Sequence, residues 1–147
     1  MEGGGLLVID AAGGSRAFAE FAEGAIGQVF GPGAIKRLGE TSPLYAVKEI
    51  KDFKYRRQTR VRLAGEKSPQ LRGVMVGDRL GVVFSREDVT CGLVGCASYA
   101  CDGYAPQTAY EIMRNAVLMA AGGGGAPASS PAIAPSTAPP AASDAGL

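Results

Sequence analysis

Two short segments carry residue types that could do chemistry. The first is Asp10 followed by Gly13, Gly14, Ser15 and Arg16. A carboxylate at the end of an apolar run, then a glycine-rich turn, then a helix start would place backbone N–H donors and a guanidinium around an anion. The plainer role is a tight strand-to-helix turn in which Ser15 caps the helix and the glycines permit the geometry. The second segment is Asp88-Val89-Thr90-Cys91-Gly92. If Asp88 faced the same crevice as Asp10, the two carboxylates could act as a hydrolase-like acid and base. Cys91 would be a nucleophile only with a group to lower its pKa, and no base stands near it in the sequence. The plainer roles are a carboxylate that ties down a loop by accepting N–H bonds and a small buried apolar residue. On balance the plainer roles are favoured at both segments. The ligand-binding candidates are therefore Asp10, Gly13, Gly14, Ser15, Arg16, Asp88, Cys91 and Gly92, with no catalytic residue assigned.

Composition excludes more than it assigns. The 147 residues contain no histidine and carry a net charge of +1. Ser-His-Asp and Cys-His catalysis and imidazole metal sites are thereby removed. The small net charge gives no global pull toward nucleic acid or anionic membrane. Cys91, Cys96 and Cys101 are odd in number and clustered, so they are not a disulfide framework. As a zinc site they would need a fourth ligand, from Asp102 or from outside, and no metal or cofactor is expected. Residues 36–72 hold eleven Lys or Arg against four Asp or Glu. Within the basic 48–62 stretch, Tyr55, Arg56, Arg57, Arg60 and Arg62 interleave an aromatic with cations, as a nucleic-acid-binding accessory domain would. A solvated loop facing an acidic partner is the favoured alternative, and nucleic acid is not the expected partner.

The elements that must position these residues follow an α/β pattern. Leu6 to Asp10 is an unalternating apolar run, which suggests a strand buried on both faces with neighbours on both sides. Ser15 opens a helix whose Phe18, Phe21, Ala22, Ala25 and Val29 form an apolar stripe. Gly31-Pro32-Gly33 ends it, and residues 34–38 read as a returning strand that completes a βαβ unit. Residues 40–70 read as irregular, broken by Thr59 to Leu63, which alternates like an exposed strand. Leu71–Val76 and Arg79–Phe84 flank Gly77-Asp78, a hairpin signal. Residues 85–105 form a loop with the three cysteines. Pro106 then opens a closing helix with Ala109, Ile112, Met113, Ala116, Val117 and Ala120 at helical spacing.

From Gly122 to Leu147 the chain is mostly Ala, Pro, Ser and Gly, with five of the nine prolines. Such a segment buries too little apolar surface to offset the entropy of ordering, so 122–147 reads as a disordered tail and 1–121 as the domain. No signal peptide or apolar run of spanning length is visible, which predicts a soluble chain.

The segment GGGLLVIDAAGGSRAFAEFAE, the segment SPQLRGVMVGDRLGVVFSREDVTCGLVG and the segment GYAPQTAYEIMRNAVLMA together resemble domain-of-unknown-function family 4159, a bacterial family. They fall in the family's order: the strand and following turn, the hairpin with Asp-x-x-Cys-Gly-Leu, and the closing helix with Asn115. The resemblance implies a fold like that of the class I glutamine amidotransferases, a flavodoxin-like sheet with flanking helices. It implies that this chain corresponds to the C-terminal portion of such a domain, with strands and helices lacking upstream. Where the family shows Asp-His-Pro before an aromatic, this chain has Thr41-Ser42-Pro43-Leu44-Tyr45. Without histidine, the resemblance implies the fold and not amidotransferase activity. Larger envelope-associated proteins are the implied context, and a protein partner or an upstream half of the same domain is the implied neighbour. The expected function is a non-catalytic ligand- or partner-binding module.

Overall fold

The computed structural model describes residues 4–96 and 101–122. Its elements are β1 (Leu7–Asp10), α1 (Arg16–Phe30), β2 (Lys36–Arg37), α2 (Pro43–Ala46), α3 (Arg57–Arg62), β3 (Arg72–Val76), β4 (Arg79–Ser85), α4 (Thr90–Leu93) and α5 (Pro106–Gly122). The expected tail falls, from residue 123 onward, outside the described residues.

Four strands form one mixed sheet in the order β1-β4-β3-β2. The fold is α/β with flanking helices, and the hairpin is where the sequence puts it. Val76 pairs with Arg79, leaving Gly77 and Asp78 as a two-residue loop. Gly77 has φ +61°, the left-handed conformation that a tight hairpin asks of its first loop residue.

The sheet order corrects two expectations. Among the described residues β1 pairs only with β4, so it is an edge strand, and Leu7 is 43% exposed. The strand buried on both faces is β4, whose Val83 packs into one core while Val82 and Phe84 pack into the other. A short apolar run reports burial but not rank in the sheet, and the hairpin had the stronger claim to the centre. Likewise β2 is not the neighbour of β1. It pairs antiparallel with β3 at the far edge, so it runs in the direction of β1 with the hairpin inserted between them.

The helices cover both faces. The core under α1 is built from Ala11, Ala19, Ala22, Ile26, Val74, Val82 and Phe84. The buried stripe of α1 is therefore Ala19, Ala22 and Ile26, not the one through Phe18 and Phe21. Phe21 and Val29 are 72% and 74% exposed. Small residues on the sheet-facing side let the helix approach closely, and that contact outweighed the aromatic stripe. On the other face α2 and α5 pack through Leu44, Ala109, Ile112 and Ala116 onto Leu71, Leu80 and Val83. The Thr59–Leu63 segment, expected as a strand, is the helical turn α3 and the cap that ends it. Its alternation reflects one buried position, Thr59, whose hydroxyl donates to Asp102 Oδ1 at 2.6 Å.

The larger core holds Tyr45, Tyr55 and Tyr104, all buried, with Tyr55 and Tyr104 rings 4.9 Å apart. Burial pushes Tyr55 up to about 12 and raises Tyr45 and Tyr104 further. In the unfolded chain each phenol ionises near 10. The folded state thus holds these protons more tightly, and that stabilisation is complete below about pH 10 and lost as pH rises through about 12. Tyrosinate absorbance and far-ultraviolet circular dichroism, followed together, are expected to show these three phenols ionising only as the domain unfolds.

Candidate functional site

β1 and β4 are parallel, with Asp10 in register with Ser85, so the loops that leave them emerge at one edge of the sheet. Those loops hold each other. The Asp10 carboxylate accepts from Val89 N at 3.0 Å, Thr90 N at 2.9 Å and Thr90 Oγ1 at 2.6 Å. In return Asp88 Oδ2 accepts from Gly13 N at 2.7 Å, and its Oδ1 accepts from Cys91 N at 2.8 Å. Each loop therefore supplies a carboxylate that accepts from the other, and Asp88 also ties down its own loop through Cys91 N. Every oxygen of both carboxylates has a protein donor, which fits anchoring and leaves neither side chain free to carry a proton between substrate atoms.

The Asp88 backbone is fixed as firmly. Its N–H donates to Asp102 O and its carbonyl accepts from Tyr104 N, both at 2.9 Å. Gly103 lies against that carbonyl so closely that a Cβ there would overlap it. Gly92 is held the same way, since a Cβ would meet that of Ala109 at 2.5 Å. Ser15 caps α1, accepting from Phe18 N at 3.3 Å. Gly13 and Gly14 have φ of +71° and +73°, which explains their residue type without a ligand.

Cys91 is not poised as a nucleophile. The Asp88 carboxylate beside it, then the Cys101 contact and burial, push its thiol up to about 12. A thiol at that value is essentially all protonated at neutral pH.

Beside the clasp lies a cavity of about 180 Å³ at the C-terminal ends of β1 and β4, where open α/β sheets take their ligands. Gly14, Arg16, Ala19, Arg62, Arg86, Glu87 and Asp102 line it. Arg86 is gripped by Glu23 through two bonds of 2.8 Å, and Arg72 reaches the same carboxylate at 2.6 Å. Arg62 donates to Asp102 Oδ2 at 2.8 Å and to Glu87 Oε1 at 3.1 Å. Two cavity groups are left over. Arg16, in the first turn of α1, has no hydrogen bond or ion pair among the described residues. Glu87 has a side chain only 5% exposed, and its Oε2 is buried without a partner.

Of the ligand-binding candidates named from sequence, the structure thus puts Gly14 and Arg16 on the cavity. Asp10, Gly13, Asp88 and Cys91 lie in the clasp, Ser15 is the cap and Gly92 is packing. Arg62, Arg86, Glu87 and Asp102 carried no sequence signal as a group. Arg86 and Glu87 are adjacent to Asp88, but nothing local ties them to Arg62 or Asp102.

The fold engages three members of the basic stretch in contacts of its own. Tyr55 is buried against Tyr104 and its hydroxyl donates to Ser68 O at 2.7 Å, so its ring is no platform for a base. Arg56 donates to the carbonyls of Cys91 and Cys96, and Arg62 faces the cavity. No helix among the described residues is long and apolar enough to cross a membrane.

Fold and site together describe an α/β domain with a polar cavity at the strand ends. The chain belongs to the family described as Domain of unknown function (DUF4159), whose profile matches residues 1–120. No curated protein and no solved structure matches the chain.

Proposed function

We propose that this domain is a non-catalytic binding module for a small organic anion that also carries a hydrogen-bond donor. The observation that supports this most is that one cavity is lined both by Arg16, whose guanidinium is uncommitted, and by Glu87, whose Oε2 is orphaned just beneath. A buried carboxylate oxygen without a partner costs several kcal/mol on the scale of about 1–3 for a neutral group and more for a charged one. A hydroxyl or ammonium on a ligand would satisfy it once the Glu87 side chain turns Oε2 toward the cavity. Arg16 and the first turn of α1 would take the anionic end, since a helix N-terminus adds unpaired N–H donors and a favourable dipole. The cavity suits a molecule of a few heavy atoms, a hydroxylated phosphate monoester or hydroxycarboxylate.

Catalysis is not part of this reading, because Asp10 and Asp88 are consumed by the clasp and Cys91 is protonated. A protein partner over α1 is consistent with it: Phe18, Phe21 and Val29 are exposed on that helix, and none of them lines the cavity.

The test is calorimetric titration of the full chain with glycerol 3-phosphate and with inorganic phosphate. The hydroxylated ligand is expected to bind more tightly, and Arg16→Glu to reduce its affinity by about 10- to 100-fold, the worth of one charge-assisted hydrogen bond. Equal affinity for both ligands, indifferent to Arg16, would remove the basis for this assignment.

A further inference from the structure

The clasp holds a second feature that the cavity does not use. The Sγ atoms of Cys91, Cys96 and Cys101 all lie within 4.8 Å of one another, and Cys91 and Cys101 approach to 3.0 Å. They come from separate stretches of backbone, and each stretch is pinned. Cys91 sits in α4, whose amides are captured by Asp10 and Asp88. Cys96 N–H donates to Cys91 O at 3.0 Å, closing the loop between them. The Arg56 guanidinium bonds both carbonyls of that loop, Cys91 O at 2.9 Å and Cys96 O at 2.7 Å. Cys101 precedes Asp102, whose N–H donates to Gly13 O and whose carbonyl accepts from Asp88 N.

We propose that these three thiols form a site for a thiophilic cation of the zinc class. Zinc–thiolate bonds of about 2.3 Å in a tetrahedron put sulfurs about 3.8 Å apart. No pair of sulfurs is more than about 1 Å wider than that spacing, and the Cys91–Cys101 pair at 3.0 Å must open by less than about 1 Å. A single disulfide would use two of the sulfurs and leave the third beside it with no function. On binding, each thiol gives its proton to solvent as its sulfur takes a metal bond, since a coordinated thiol is deprotonated outright. Three thiolates around a dication leave one negative charge, and Arg56 lies alongside to offset it. The fourth position falls to water or an outside ligand. Asp102 does not supply it, because Thr59 and Arg62 take its two oxygens at 2.6 and 2.8 Å. This site is independent of the anion reading and its test uses a different readout.

The experiment is Co²⁺ and Zn²⁺ titration of the reduced full-length chain. Stoichiometric Co²⁺ is expected to give strong sulfur-to-cobalt charge-transfer absorption with tetrahedral d–d bands, displaced by Zn²⁺. Cys96→Ser, at an exposed position, should keep the fold by circular dichroism and weaken metal binding at least tenfold. Cys91→Ser should do the same, and a fold lost in that variant would leave Cys96→Ser as the deciding case. No charge-transfer band in the reduced wild type would overturn the proposal. So would a band unchanged by Cys96→Ser. A chain lighter by two hydrogens, with Cys91 linked to Cys101 and no uptake of Co²⁺ after reduction, would assign the cluster to a disulfide instead.

Discussion

Replacing Asp88 with alanine is expected to destabilise the domain by about 3–6 kcal/mol, since two hydrogen bonds to a charged acceptor are lost at about 1.5–3 kcal/mol each. The residue is 1% exposed, and its carboxylate joins the β1–α1 turn to α4 through Gly13 N and Cys91 N. Removing it strands both amides where solvent reaches them poorly. Small domains are stable by only about 5–15 kcal/mol, so this one change consumes much of the margin. Asp88→Asn keeps one acceptor oxygen and should lose about half as much. Urea unfolding at neutral pH measures both. A midpoint for Asp88→Ala within error of wild type would mean that the reciprocal clasp does not hold the two loops. The corresponding change at Asp10 should be milder, because Thr90 is exposed and water can replace its bonds.

The second large effect is expected at Asn115. It is fully buried in α5, and its Nδ2 donates to Leu44 O at 2.8 Å and to Lys48 O at 2.7 Å. Those are carbonyls in and just beyond the short helix α2, which has too few turns to satisfy them itself. Asn115→Leu would leave both without a donor beneath the core, at a loss of about 2–4 kcal/mol. Asn115→Asp should be at least as damaging, because it faces two carbonyls with a negative charge. The shift should appear in the urea midpoint with an unchanged slope, as expected when stability alone changes.

Much of the clasp was legible in the sequence and little of the cavity was. Asp10 at a strand end, Gly13 and Gly14 in a turn, and Ser15 as a cap are local features, written in consecutive residues. The Gly77-Asp78 hairpin and the Pro106 helix are local in the same sense. The α1 face was not, because two stripes fit a helical period: one through Phe18 and Phe21, the other through Ala19, Ala22 and Ile26. Only the sheet decides between them, and it selected the small residues. The rank of β1 was hidden for the same reason, since pairing is a relation between strands. The cavity is hidden most deeply. Arg62 reaches Asp102 across 40 residues and Glu87 across 25, and no spacing rule joins such positions. Thr59 shows the cost of reading a short segment alone: its alternating neighbours imitate a strand, while one hydroxyl bond to Asp102 sets it within a helical turn.

The most direct test of the binding reading is to map the ligand. Small organic anions bearing a hydroxyl, phosphate monoesters and hydroxycarboxylates, would be titrated into the ¹⁵N-labelled full chain while the amide resonances are followed. The expected result is saturable movement of the Gly14, Arg16, Glu87 and Asp102 amides, with those of Glu49 to Phe53, around a separate cavity, left in place. Movement confined to residues away from the strand ends, or none with any member of the panel, would contradict it.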